Sequence, residues 1–208
     1  MNALALVNTV LKELRQPTVT TLVGANQYTQ NVLSALNAIA EEQAAAHVWP
    51  ALEKVQQITM VQGTQSYNLA ADFGKILGPP YMNSPSMRML PILGAREWSA
   101  ETLGDTRQGT PFVCHLEAGK LWLWYVPDAA HDNKTLFLRY QKRPAALSLD
   151  TDTTELADGI LIAGAVARVK MMDGDVTPAD IERYRLEAHT QLVETARQTP
   201  RFVRYRDF

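Results

Sequence analysis

The chain has 208 residues, 46% of them apolar and 20% charged, with a formal net charge of −2. That length and balance suit one sizeable domain or two small ones, and they exclude a disordered chain and a polycation built for broad nucleic-acid affinity. The single cysteine, Cys114, excludes an internal disulfide and cysteine-based zinc sites, and points to maturation in a reducing compartment.

From the N-terminus, Leu4, Val7, Leu11 and Leu14 recur at spacings of three and four. This predicts a helix over 2–16, capped by Asn2 and stopped by Pro17. The stretch lacks the basic leader region and cleavage site of a signal peptide. A second helix is predicted over 26–46, with Asn26 as cap, a buried stripe of Val32, Leu33, Leu36, Ile39 and Ala40, and an end at Trp49-Pro50.

The middle reads as strands. Residues 55–61 alternate, and Gly63-Thr64-Gln65-Ser66 is the predicted turn of a first hairpin. A strand over 87–93 and a short helix over 95–103 follow. Residues 111–116 and 120–125 flank Glu117-Ala118-Gly119, a second hairpin signal. The strand over 135–141 sets Leu136, Leu138 and Tyr140 on one side and Phe137 and Arg139 on the other.

Helix returns over 155–173. Leu156, Ile160, Ala163, Val166, Ala167 and Met171 make it apolar almost all round, which predicts burial between other elements. Its apolar run, 160–167, is too short to span a membrane and ends at Arg168. Thr177, Pro178 and Asp180 form the strongest start signal in the chain, opening a helix to about Arg197 with Ile181, Tyr184, Ala188 and Leu192 facing inward. The expected class is α+β: N- and C-terminal helices (1–50 and 150–197) bundled together, a projecting β-rich domain over 51–149, and a tail over 198–208.

Enzyme chemistry finds little footing. Cys114 and His115 are adjacent, so on a strand they point to opposite faces. A half-buried cysteine beside a solvent-facing histidine is the expectation. The four histidines, 47, 115, 131 and 189, have no partner at metal-ligand spacing. Asp150, Asp152 and Glu155 alternate with threonines but lack the central glycine and distal glutamate of a calcium loop; they read as a polar loop that caps the next helix. No cofactor site is expected.

The order of these phrases resembles the tailed-phage head-to-tail adaptors grouped with tail tubular protein A. After two helices and an aromatic, that family shows tyrosine, x, leucine, proline, x, aspartate, phenylalanine. Here Tyr67-Asn68-Leu69-Ala70-Ala71-Asp72-Phe73 matches, with Ala70 in place of the proline. A strand ending in proline follows, Leu121-Trp122-Leu123-Trp124-Tyr125-Val126-Pro127. Then come a strand ending in Tyr140, Pro144, Leu147-Ser148, the acidic loop and a helix rich in small residues. The resemblance implies a structural subunit of the virion neck and not an enzyme. It implies a homo-oligomeric ring, usually of about twelve, assembled in the host cytoplasm beneath the portal protein and above a downstream tail or nozzle protein. Double-stranded DNA would pass its lumen without sequence-specific binding, as an acidic net charge allows. No membrane is involved.

On that reading, Trp98, Trp122, Trp124 and Tyr125 are candidate interface anchors, with the β core as the alternative. The tail carries Arg197, Arg201, Arg204 and Arg206 interleaved with Phe202, Tyr205 and Phe208, a candidate portal-docking segment. A head-completion or stopper protein, a small DNA-binding module using the basic tail, and a small enzyme remain as alternatives.

Overall fold

Helix α1 spans Ala3–Glu13 in the computed structural model of the chain, which describes residues 1–82, 88–102 and 106–198. The Asn2 side chain accepts from the Ala5 N–H, as a cap should. The helix stops earlier than Pro17 requires, because Arg15 takes a left-handed φ of 57° and Gln16 N–H closes back on the Leu11 carbonyl. Helix α2 spans Gln27–Ala46, with the Asn26 side chain accepting from Thr29 N–H.

Two late helices join them. Helix α4 spans Asp158–Asp173 and ends on Gly174 at φ 80°. Helix α5 spans Pro178–Gln198. Its start is a reciprocal capping box: Asp180 N–H donates to Thr177 Oγ1, and Asp180 Oδ2 accepts from Thr177 N–H. Helix α4 packs against α1, α2 and α5, so residues 160–167 are buried without a break. Leu6, Val10, Leu36, Ile39, Leu161 and Val166 belong to the resulting core. Tyr184 and Leu192 of α5 pack against it as partly buried side chains.

The acidic loop behaves otherwise than the sequence suggests. It does not cap α4, whose N-cap is Ala157 with no side-chain bond. Its carbonyls serve α1: Ala3 N–H donates to Asp152 O and Leu4 N–H to Asp150 O. These are two of the donors that a helix start leaves unpaired. Asp150 Oδ1 also accepts from Leu22 N–H, and the Met1 ammonium pairs with Asp158 at 2.7 Å. Met171, expected inside, is 59% exposed because α4 outruns its cover near its C-terminal end.

The intervening chain, Glu53–Lys142, forms a second compact unit, separate from the one built by Met1–Leu52 and the chain from Arg143 onward. Its centre is β10 (Thr135–Lys142). Along one edge β10 pairs antiparallel with all of β1 (Glu53–Thr59). Along the other it meets β3 (Phe73–Ile76) near Tyr140 and β4 (Tyr81–Met82) near Leu136, and β4 carries β5 (Arg88–Met89). Leu136, Leu138 and Tyr140 are buried, as the alternation predicts.

A second antiparallel sheet sets β8 (Lys120–Trp124) between β7 (Val113–Glu117) and β2 (Ser66–Asn68). Short α3 (Ala95–Thr102) packs on β7, and β6 (Gln108–Gly109) runs parallel to β9 (Val126–Pro127). The second hairpin forms where its turn residues lie, with Ala118 and Gly119 at φ 48° and 74°. The first does not. Gly63 turns the chain at φ 78°, but it passes β1 and β2 into different sheets. Residue 87 of the expected strand and residue 103 of the expected short helix lie outside the described residues. Ile58, Met60, Met82, Leu90, Leu121, Leu123 and Leu136 form this unit's core with Cys114.

Candidate partner-binding surfaces

The aspartate motif proves to be a staple of the β unit. Asp72 accepts from Lys54 Nζ of β1 at 2.6 Å and from the Tyr140 hydroxyl of β10 at 2.8 Å. The Lys54 bond, then the Tyr140 bond, holds its carboxyl below the usual carboxylate range. Burial, then the Asp72 bond, pushes the Tyr140 phenol up to about 12. Phe73 stacks on the Tyr140 ring with centroids 5.4 Å apart. Tyr67 Oη accepts from Val61 N–H, tying the Gly63 turn. Ala70, which replaces the family's proline, uses the N–H that proline lacks: it donates to Gln56 Oε1 at 2.9 Å.

The four aromatic candidates divide. Trp124 is core: it is buried and packs against Phe112 and Tyr125. Trp98, Trp122 and Tyr125 are half-buried. Arg107 lies 5.0 Å above the Tyr125 ring. Trp98 stacks on His115 at 5.5 Å.

That stacking corrects the histidine. His115 is buried, with Nδ1 2.8 Å from the Leu93 carbonyl, because α3 covers the face of β7 that the alternation assigns to solvent. Cys114 is fully buried, and burial pushes its thiol up to about 12, far from a nucleophile's range. Among the described residues no group of three histidine, cysteine or carboxylate side chains could hold a metal ion. Asp152 spends one carboxylate oxygen on the N–H groups of Ser148 and Leu149.

Sequence reasoning missed a cleft of about 1060 Å³ between α2, α4 and α5. Gly164 admits it: a Cβ there would lie 2.8 Å from both Ile39 Cγ2 and Tyr184 Cε2. Apolar walls come from Ile39, Ala167, Ile181 and Ala188, and Met171 and Met172 stand at its edge, 59% and 61% exposed. Within it, Gln43 Nε2 donates to Tyr184 Oη at 2.6 Å. Gln43 is 5% exposed, and among the described residues its Oε1 has no hydrogen-bond partner. Tyr184 Oη in turn donates to Glu42. The signal was there to read: Gln43 stands four residues after Ile39, a polar group on a buried stripe.

Of the tail candidates, Arg201, Phe202, Arg204, Tyr205, Arg206 and Phe208 lie outside the described residues, as does the Arg197 side chain. The Arg197 backbone is in the last turn of α5. Among the described residues no helix is long and apolar enough to cross a membrane. Residues 1–206 match a family model described as SU10 adaptor protein. No curated protein matches the chain.

Proposed function

Because the chain belongs to the SU10 adaptor family, a family of phage head-to-tail adaptors found in the virion neck, we propose that it is a ring subunit of the tail tubular protein A type. About twelve copies close by rotation through heterologous contacts, join the portal protein to a downstream tail or nozzle protein, and enclose a lumen through which double-stranded DNA leaves. Assembly takes place in the host cytoplasm. The observation that carries this is the family match over 1–206, nearly the whole chain. The order of motifs supports it, as does the use of the aspartate motif for architecture and not for chemistry.

Portal docking falls to the C-terminal tail, Arg197 with Arg201, Phe202, Arg204, Tyr205, Arg206 and Phe208, whose guanidinium groups and rings suit a crevice on a partner. Trp98, Trp122 and Tyr125, half-buried in the β unit, are the proposed anchors toward neighbours; Trp124 is buried.

The test is to mix the purified chain with the phage portal assembly and image it by electron microscopy. A ring added at the portal's narrow end is expected, and it gives the subunit number. A well-folded chain that never associates overturns the reading. A chain ending at Thr199 should fold normally and fail to join.

A further inference from the structure

We propose that the free edge of β1 pairs antiparallel with the β1 edge of a second copy of this chain. In a ring closed by rotation neighbours meet through unlike surfaces, so this like-to-like contact belongs to the subunit outside the ring. The inference goes beyond the portal reading and does not rest on it.

β1 has β10 on one side and, among the described residues, no strand on the other. Two bonds fix which way its backbone groups point. Met60 N–H, just past the strand, donates to Lys134 O at 2.8 Å, and on the far side of β10 Leu77 N–H donates to Arg139 O at 3.0 Å. Alternation then turns the N–H and C=O groups of Lys54, Gln56 and Ile58 toward β10, and those of Glu53, Val55, Gln57 and Thr59 away from it. Val55, Gln57 and Thr59 are exposed. Such edges are normally blunted by brevity, a proline, a bulge or a free lysine. β1 has none of these. Its seven residues keep an unbroken register with β10 and include no proline. Its lysine, Lys54, is held by Asp72 at 2.6 Å, and Glu53 is taken up by Arg139. What remains is a neutral row of donors and acceptors that another extended strand matches.

The sequence of β1 fits that place itself. Antiparallel pairing about Gln56 uses the whole strand and sets outward groups against outward groups: Glu53 opposite Thr59, Lys54 opposite Ile58 and Val55 opposite Gln57. No like charges meet. Parallel pairing in register would bring Glu53 to Glu53 and Lys54 to Lys54, which costs stability. Gln57 lies beside Phe137, which stacks on Tyr81 at 5.1 Å. Val55 of the second copy therefore extends an apolar row on that face. One strand pair buries less than the ~1,200 Å² of a stable complex, so the dimer is weak and concentration-dependent.

Amide exchange in the isotope-labelled full chain tests this. Between about 50 μM and about 1 mM, exchange at Val55 and Gln57 should slow at least about threefold. Thr59→Cys, spin-labelled and without isotope, is then mixed with the isotope-labelled parent. Cys114 is buried and leaves the new thiol as the one that reacts. Within β1 the Glu53 amide signal should dim most and the Thr59 signal least. Gln57→Pro removes an outward donor, leaves the β1–β10 ladder whole, and should abolish the slowing at Val55. Exchange at Val55 and Gln57 that ignores concentration overturns the pairing. So does dimming centred outside β1, or greatest at Thr59. Exchange and dimming are both read on the parent strand, so they decide the matter even where the proline variant fails to fold. No portal is present, so failure here leaves the adaptor reading standing, and failed portal binding leaves the β1 pair standing.

Discussion

Asp180 does two jobs within one helical turn. It accepts from Thr177 at the start of α5 and pairs with Lys170 of α4 at 2.6 Å. The Lys170 bond, then the Thr177 bonds, lowers its carboxyl to about 2. Its folded value lies below the unfolded one near ~3.9, so its contribution is whole above about pH 4 and fades as pH falls through about 2. Asp180→Asn should therefore destabilise the chain near neutral pH, and the gap from the parent should close in acid; denaturant unfolding across that range reads it. Thr177→Ala should cost about 1 kcal/mol. Ala70→Pro restores the family's proline, removes a donor and strands Gln56 Oε1, at an expected cost of about 1–2 kcal/mol; a double-mutant cycle with Gln56→Ala should show coupling. Residue-level reading succeeds where partners are local, as at these caps. It fails at His115, because no periodicity on β7 reports that α3 will lie over it.

At the scale of elements, Gly164 sets how closely α2 and α5 approach α4. Gly164→Ala must push Ile39 and Tyr184 aside, with an expected loss of about 1–3 kcal/mol from overpacking. The opposite sign is expected at the β7–β8 turn. Ala118 bears a left-handed φ that asparagine adopts more easily, so Ala118→Asn should stabilise by up to about 1 kcal/mol; thermal unfolding measures both changes. Helices α1, α2 and α5 were legible because their caps and stripes lie within a few residues of sequence. Strands β1, β7, β8 and β10 were legible as strands, and β7–β8 as a pair, whereas β3, β4 and β6 are too short to show an alternation. The pairing of β1 with β10 was not, since some eighty residues separate them and each was chosen by a shared buried face: Ile58 meets Leu136 across the sheet. The cleft was equally hidden, for it needs three helices at once.

Among the described residues there are two cores, and the sequence carries one thiol. Cys114 sits in the β core, and its thiol lies near 12, so it should resist alkylation in the native chain and react only when that unit opens. Pulsed thiol labelling against denaturant should then follow the β unit alone, while helical circular dichroism follows chiefly the other. Coincident curves mean a single cooperative transition; separated curves mean two. The nesting of one unit within the other's sequence also orders events on the ribosome. All ten strands of the described residues are made before α4, which fills the centre of the helical core. A nascent chain therefore completes its β unit while α1 and α2 still carry Leu6, Val10, Leu36 and Ile39 without their cover. A chain cut before Asp158 and released from the ribosome should keep a finished sheet and a sticky helical pair, a target for chaperones.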